Sequence, residues 1–156
     1  MQLQSHQRVE SVKLIGHGVD AAKTVGQSTK RRLFITDSIT NITYLVDCGA
    51  DVSVLPPTHV TQNKLCELAV TPEILIAANH SPIAVHGSLT ETVTFKGKQF
   101  KHSFIIADVS KPLLGADFLY DHNLLIDIRN CQLIDCNNNH YFKCQSRSAL
   151  ATDTQL

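Results

Sequence analysis

The feature that most limits the fold is an apolar run interrupted once, by a carboxylate and a glycine. Residues 44–46 lead into Asp47, the run breaks at Gly49, and a second apolar run follows at residues 52–55. Glycine adopts backbone angles that other residues resist, so the break predicts a tight loop between two strands. A carboxylate where a strand enters such a loop is held rigidly. Asp47 is therefore the candidate catalytic group.

The composition is that of a single globular domain without bulk charge. The chain has 156 residues, of which 43% are hydrophobic and 18% charged, and its formal net charge is zero. Zero net charge gives no attraction to nucleic acid or to anionic membranes, so we predict neither partner for this domain. No apolar run reaches the roughly 18 residues of a transmembrane helix. Because residues 1–7 also lack the apolar core of a signal peptide, we expect an intracellular, cytoplasmic protein.

The cysteines argue against a disulfide framework, because there are five of them and no Cys-x-x-Cys pair. Four residues near the C-terminus, Cys131, Cys136, His140 and Cys144, follow the residue order of a zinc knuckle. Their spacing is looser than in a knuckle, and zinc needs four ligands that converge tetrahedrally. We therefore favour scattered thiols, and predict no metal site and no cofactor.

Short apolar strands separated by turn residues predict an all-β domain. The predicted strands are residues 33–36, 42–46, 52–55, 74–77, 83–86, 89–95, 100–107, 124–128 and 132–134. One short helix is predicted at residues 116–122. We expect residues 1–30 to form an arm or linker that includes a short strand, residues 31–135 to form the domain, and residues 136–156 to form a polar, flexible tail.

Several of these stretches together resemble a known family. Residues 45–51, Leu-Val-Asp-Cys-Gly-Ala-Asp, resemble the Asp-Thr/Ser-Gly-Ala motif of the retroviral-type aspartic proteases, or retropepsins. Residues 113–119, Leu-Leu-Gly-Ala-Asp-Phe-Leu, resemble the second signature of that family. Residues 77–83 and 104–109 are similar to proteases of gypsy-type retrotransposon polyproteins. The resemblance covers about residues 31–135, and several elements in the right order make it specific.

The resemblance implies a closed, barrel-like acid-protease fold with a flap hairpin and one short C-terminal helix. It also implies an aspartic endopeptidase with a polypeptide substrate, which processes a retroelement polyprotein. Such hydrolysis needs two carboxylates that share one proton, and aspartic proteases are the standard example of this pair. The chain has a single Asp-x-Gly element. The second carboxylate must then be Asp47 of a second copy, which makes the enzyme a symmetric homodimer.

The resemblance also assigns roles to further residues. The residues assigned to support of the catalytic loop are Cys48, Gly49, Leu113, Leu114 and Gly115. Substrate binding falls to Gly49, Ala50 and Asp51 of the loop and to Asn79, His80 and Ser81 at the tip of the flap. The flap closes over the peptide and excludes water. Its tip lacks the glycines of many retropepsins, and we expect it to be stiffer. Asp117 is assigned a structural role.

Cys48 departs from the family pattern, which has Thr or Ser at this position. A thiol donates and accepts hydrogen bonds more weakly than a hydroxyl. Losing good hydrogen bonds at two symmetric positions costs on the order of 1–3 kcal/mol, so we predict weakened activity. Three alternatives stay open: a catalytically silent dimerisation or binding module, a loop-capping role for Asp47, and a thiol nucleophile at Cys48. His80 is expected to be an exposed flap residue.

Overall fold

The structure is a computed structural model that describes residues 12–15 and 31–148. The strands in chain order are β1 (Val12–Ile15), β2 (Arg31–Thr36), β3 (Thr43–Val46), β4 (Val54–Leu55), β5 (Ile74–Ala77), β6 (Pro82–Ile83), β7 (Val85–Phe95), β8 (Lys98–Ala107), β9 (Leu113–Leu114), β10 (Leu124–Asp127), β11 (Gln132–Asp135), β12 (His140–Lys143) and β13 (Gln145–Ser148). The helices are α1 (Gln62–Leu65), α2 (Ala116–Asp121) and a single 3-10 turn at Pro57–His59. None of the helices described here is long and apolar enough to cross a membrane.

One large sheet carries most of the fold. Its seven strands lie in the order β13-β2-β3-β9-β4-β8-β7. Two smaller sheets have the orders β1-β5-β6 and β10-β11-β12. The all-β expectation is confirmed, and the predicted C-terminal helix is α2.

The large sheet is buried on both faces near its middle, because alternate residues of β2, β3 and β8 enter two separate clusters. The larger cluster contains Leu33, Ile35, Tyr44, Val46, Leu55, Val93, Phe95, Phe100, Phe104, Ile106, Leu114, Phe118, Leu119, Leu124, Leu133 and Phe142. The smaller cluster contains Phe34, Leu45, Val52, Val54, Leu75, Ile105, Ala107 and Leu113. A sheet packed on both sides gives the short strands β4 and β9 a rigid setting.

The longest strands, β7 and β8, form an antiparallel hairpin. It turns at Lys96 and Gly97, both at positive φ, where the sequence predicted a turn. A bulge between Val85 and Gly87 interrupts the register near the other end of β7. A Cβ atom on Gly87 would lie 2.7 Å from the carbonyl oxygen of Ala69, so that only glycine fits at this bulge.

The expected flexible tail from residue 136 is wrong as far as residue 148. Strand β12 pairs antiparallel with β11, and β13 pairs antiparallel with β2. Phe142, which is 3% exposed, joins this segment to the larger core cluster, and the partly buried Cys144 also packs against that cluster. Its neighbours are polar because edge strands need few buried side chains, and that polarity misled the sequence interpretation. Residues 149–156 of the predicted tail lie outside the described residues.

A strand also forms within the predicted N-terminal arm. Strand β1 pairs in parallel with β5, with Val12 beside Ile74 and Ile15 beside Ala77. This agrees with the expected short strand. The remaining residues of the arm, 1–11 and 16–30, lie outside the described residues.

Candidate active site

The candidate loop, residues 47–53, joins two strands that are not neighbours in the sheet. It runs from β3 to β4, and β9 lies between these strands. Val46 of β3 pairs in parallel with Leu114 of β9, and Val54 of β4 pairs antiparallel with Leu113. The loop therefore passes over the end of β9, which fixes both of its ends.

Asp47 is held by its backbone and by its side chain. Its N–H donates to the carbonyl of Leu114 at 3.0 Å, and its carbonyl accepts from the N–H of Ala50 at 3.1 Å. The carboxylate oxygen Oδ1 accepts a hydrogen bond of 3.0 Å from the N–H of Gly49. Asp47 is half-buried, and this hydrogen bond is exposed to solvent. A hydrogen bond from the N–H two residues later closes a local turn and fixes the orientation of the carboxylate.

The tight turn does not require the special angles of glycine at position 49. Among the described glycines, positive φ occurs at Gly87 and Gly97, and Gly49 has none. The expectation that Gly49 is needed for its backbone angles is therefore wrong. Gly49 is exposed and supplies an N–H to Asp47. Gly49 therefore lies exposed beside the carboxylate.

Gly115 lies directly below the loop, where no side chain can fit. A Cβ atom there would lie 2.6 Å from the backbone carbon and oxygen of Val52, and 2.8 Å from the carbonyl oxygen of Ala50. The N–H of Ala116 donates to that same carbonyl of Ala50 at 2.7 Å. The segment after β9 thus contacts the loop through its backbone.

A buried serine joins the loop to helix α2. The hydroxyl of Ser53 donates to Oδ1 of Asp117 at 2.7 Å and accepts from the N–H of Gly115 at 2.9 Å. The backbone N–H of Ser53 donates to Oδ2 of Asp117 at 3.1 Å. Ser53 has no exposed surface and the side chain of Asp117 is 26% exposed, so these bonds are largely shielded from water. The structural role predicted for Asp117 is this contact.

Asp117 keeps its negative charge because of its hydrogen bonds. Burial disfavours the charged form and raises its pKa, but the hydrogen bonds from His102 and from the side chain and backbone of Ser53 act in the opposite direction. The hydrogen bonds and the nearby charge of His102 outweigh the effect of burial, so the pKa of Asp117 lies below its ordinary value.

His102 extends this network away from the loop. Its Nε2 lies 3.0 Å from Oδ2 of Asp117, and its Nδ1 lies 3.6 Å from Oδ2 of Asp121. The ring is buried between Phe104 and Phe118, with centroids 5.4 Å and 5.1 Å away. An imidazole flanked by two carboxylates and two aromatic rings has a fixed orientation, and it fixes that of Asp117.

The predicted flap is the hairpin of β5 and β6, and its tip is residues 79–81. The N–H of Ala77 donates to the carbonyl of Ser81 at 2.9 Å, and Oδ1 of Asn79 accepts from the hydroxyl of Ser81 at 2.6 Å. His80 is exposed and has a φ of 63°, in the left-handed region that favours glycine. The tip therefore places a large side chain at a position whose backbone would suit glycine.

The arrangement of strands matches that of a solved retroviral protease-like domain. The retroviral protease-like domain of Ddi1 from Leishmania major aligns with a TM-score of 0.57 and 19% identity, over 73% of this chain and 94% of that one. The fold is retropepsin-like. EIAV protease complexed with the inhibitor HBY-793 aligns with a TM-score of 0.46 and 22% identity, over 68% of this chain and 99% of that one. A score below 0.5 does not decide a fold, so the assignment rests on the first comparison. No protein-family model matches the chain.

Within this retropepsin-like fold, the predicted loop residues lie close together. Ala50 is fully buried and packs on the inner side of the loop, whereas Cys48 and Asp51 are exposed on its surface. The flap residues lie on a separate hairpin, which reaches the loop region through Leu75 of β5 in the smaller core cluster. Within residues 12–15 and 31–148, no group of three or more His, Cys, Asp or Glu side chains could hold a metal ion.

Sequence reasoning missed Ser53 and His102. The pattern of β8 carried a signal for His102, because this residue interrupts a set of buried apolar residues at alternate positions, namely Phe100, Phe104 and Ile106. A polar side chain in a buried register needs a partner. That partner, Asp117, is visible only once the strand and the helix are folded together.

Proposed function

We propose that this chain is an aspartic endopeptidase whose active site forms when two copies pair. The observation that carries the proposal is the geometry of Asp47. Its backbone is bonded to Leu114 and Ala50, one carboxylate oxygen is bonded to Gly49, and the residue is half-buried with this last bond exposed to solvent. A carboxylate fixed in this way at an open loop is suited to react with a bound ligand, since its orientation costs nothing during the reaction.

One chain supplies one such carboxylate. Water attack on a peptide bond needs a base that takes the proton and an acid that donates to the carbonyl oxygen. Two Asp47 side chains related by a two-fold axis can divide these roles, because two adjacent carboxylates retain one proton between them. One carboxylate takes a proton from water as the water oxygen bonds to the carbonyl carbon, and the carbonyl oxygen takes the shared proton. The C–N bond then breaks as the nitrogen takes the proton that came from water, and a hydroxyl of the intermediate returns its proton to the carboxylate pair.

The surrounding residues suit an extended peptide. Gly49 leaves the loop open beside Asp47, and Asp51 is exposed on the same loop. The flap residues Asn79, His80 and Ser81 are exposed at the tip of their hairpin. We propose that loop and flap hold the peptide between them. Processing of a retroelement polyprotein and a cytoplasmic location stay predictions.

The test is a comparison of Asp47→Asn with the parent protein. Asparagine keeps the size of the side chain and can still accept from Gly49, but it cannot exchange a proton with water. Cleavage of a peptide library at mildly acidic pH should be lost in this variant. Asp127→Asn is the matched control, because Asp127 lies in β10 and bonds only to Asn130 and Gln132 among its side-chain partners described here. Its activity should equal that of the parent.

Dimer formation is tested separately by varying the protein concentration. If the site needs two copies, specific activity rises with concentration in the range where sedimentation shows the dimer forming. Specific activity that stays constant in a protein that sediments as a monomer would contradict the paired site.

A second candidate function is a binding or dimerisation module without catalysis. The exposed thiol of Cys48 favours it, since a weak hydrogen-bonding group occupies the position next to Asp47. The Asp47→Asn comparison also decides between the two functions. A module without catalysis would show no cleavage, or would show the same cleavage with and without Asp47, and its dimer would persist in the variant.

A further inference from the structure

The edge of the flap is already occupied by a segment of the same chain. Strand β1 pairs in parallel with β5 over four residues, with Lys13 beside Leu75 and Leu14 beside Ile76. The opposite edge of β5 pairs with β6 and forms the hairpin. In the part of the chain that the structure describes, β1 is therefore the only strand paired with the edge of β5 that faces away from β6.

The strand that carries this edge shares a core cluster with residues of the candidate active-site loop. Leu75, at the centre of the β1–β5 pairing, has no exposed surface and belongs to the smaller core cluster. The same cluster contains Leu45, which leads into Asp47, Val52 of the loop, and Leu113, below it. A peptide that pairs with β5 is thereby brought to the side of the sheet where the loop lies.

Strand β1 runs along β5 towards the tip of the flap, as an extended peptide ligand paired in parallel would. Because the pairing is parallel, β1 ends where β5 ends, and Ile15 lies beside Ala77, two residues before Asn79. Peptide-binding proteins often take an extended ligand as an added strand at a free sheet edge, with backbone hydrogen bonds giving affinity and side chains giving selectivity. The sequence Val-Lys-Leu-Ile has the branched apolar residues that favour such a strand.

We propose that Val12–Ile15 is an intramolecular ligand of the flap edge, and that it competes with extended peptide substrates for β5. The free edge then accepts an extended, mainly apolar peptide in the same parallel direction. Substrate must displace β1 before it can pair with the flap. The kinetic part of this inference rests on the proposed peptidase function, whereas the binding part does not.

The connection to the domain makes this competitor effective. Fifteen residues, 16–30, separate β1 from β2. A tethered ligand acts as though it were free at an effective concentration on the order of 1 mM. If its dissociation constant is about 1 mM to about 0.1 mM, the apparent KM for substrate is raised about twofold to tenfold. The value of kcat does not change, because the segment is absent from the productive complex.

The kinetic experiment replaces two adjacent residues, Lys13→Pro with Leu14→Pro, in the full chain. In a parallel pair, every second residue of β1 donates its backbone N–H to β5. Two adjacent prolines therefore remove at least one of these donors, whichever residue donates. The matched control, Lys13→Thr with Leu14→Val, keeps both donors and a high strand propensity. We expect KM to fall by about twofold to tenfold in the proline variant, with kcat unchanged and with the control equal to the parent. An unchanged KM, or a loss confined to kcat, would overturn the proposal.

A second variant tests the same point without prolines. A disulfide between Val12→Cys and Ile74→Cys, which are paired in register, fixes β1 on β5. We expect its oxidised form to cleave peptides with a higher KM than its reduced form. Equal KM values in both forms would contradict the competition.

The binding experiment needs no catalysis. A fluorescent peptide with the sequence of residues 10–17 is titrated into Asp47→Asn proteins, one with the native β1 and one with the two prolines. We expect the peptide to bind the proline protein about twofold to tenfold more tightly, because the edge of β5 is free there. Equal binding to both, or binding to neither, would refute the proposal. If the parent cleaves no peptide at all, the proposed peptidase function fails and this titration still decides the inference.

Discussion

Replacing Ser53 with alanine removes a single oxygen from the contact between the loop and helix α2. That oxygen donates to Asp117 at 2.7 Å and accepts from the N–H of Gly115 at 2.9 Å. After the substitution, Asp117 loses one of its donors, and the N–H of Gly115 loses the acceptor that the hydroxyl provides. Ser53 has no exposed surface, whereas the side chain of Asp117 is 26% exposed, so water reaches the carboxylate but cannot take the place of the hydroxyl without movement of the loop.

The size of the effect follows from these two losses. A hydrogen bond to a charged group contributes about 1.5–3 kcal/mol, and a buried donor left without a partner costs about 1–3 kcal/mol. Because the loop can relax, we expect a loss near the lower end of both ranges, about 3 kcal/mol in the free energy of unfolding. That is a large fraction of the roughly 5–15 kcal/mol that keeps a domain folded.

The assay is urea unfolding at one fixed protein concentration, since a protein that dimerises has concentration-dependent stability. Ser38→Ala is the matched control. The Ser38 hydroxyl donates to the carbonyl of Thr94 at 3.1 Å, and Ser38 itself is exposed, so its loss should cost about 1 kcal/mol or less. If Ser53→Ala is destabilised no more than Ser38→Ala, the reasoning about the buried network is refuted.

Three further predictions concern the same region. The pKa of Asp117 lies below its ordinary value, so its contribution to stability is fully present above that ordinary value and is lost as the pH falls through the lowered pKa. Unfolding free energies measured from about pH 5 to about pH 3 should therefore fall more steeply for the parent than for Asp117→Asn, and parallel curves would contradict this. At the flap tip, His80→Gly should keep the unfolding free energy within about 0.5 kcal/mol of the parent, whereas His80→Val should lower it by about 1–2 kcal/mol, because a branched residue resists the left-handed φ. Thermal unfolding of the two variants measures the difference, and equal values would show that the tip is not held in this conformation. Cys48→Thr introduces a hydroxyl in place of the thiol. If its hydrogen bonds contribute about 1 kcal/mol or more to the reaction, the rate of peptide cleavage should rise by about fivefold or more. Equal rates would exclude the proposed weakness of Cys48.

The sequence predicted the strands and the loop well because those features are local. Alternation of apolar residues in β7 and β8 and the turn at Lys96 and Gly97 are readable over a few residues. The position of Asp47 between two apolar runs was likewise enough to place it where a strand meets a loop. The residues that hold this loop from below, Leu114 and Gly115, were found through the family resemblance.

The missed features depend on contacts between distant parts of the chain. Ser53 and Asp117 are 64 residues apart, and nothing near either one indicates the other. Strand β13 is polar, and it lies beside β2 through backbone pairing and through the Arg147 guanidinium over the ring of Phe34, neither of which apolar patterning reveals. The parallel pairing of β1 with β5 likewise joins segments that are far apart in the chain. Hydrophobic patterning shows which face of a strand is buried, but it does not show which strand is its neighbour.

The pairing of β13 with β2 bears on how this protein must be made. The ribosome synthesises β2 more than a hundred residues before it reaches β13, as the bounds Arg31–Thr36 and Gln145–Ser148 show. Until then, one edge of β2 remains open to other chains, and unpaired edges are sites of aggregation. Contacts between such distant segments also form slowly. A fragment cut after residue 135 would keep every residue of the loop and the flap, yet it would leave that edge open and lose Phe142 from the core. The shortest soluble form of this domain should therefore include residues 136–148.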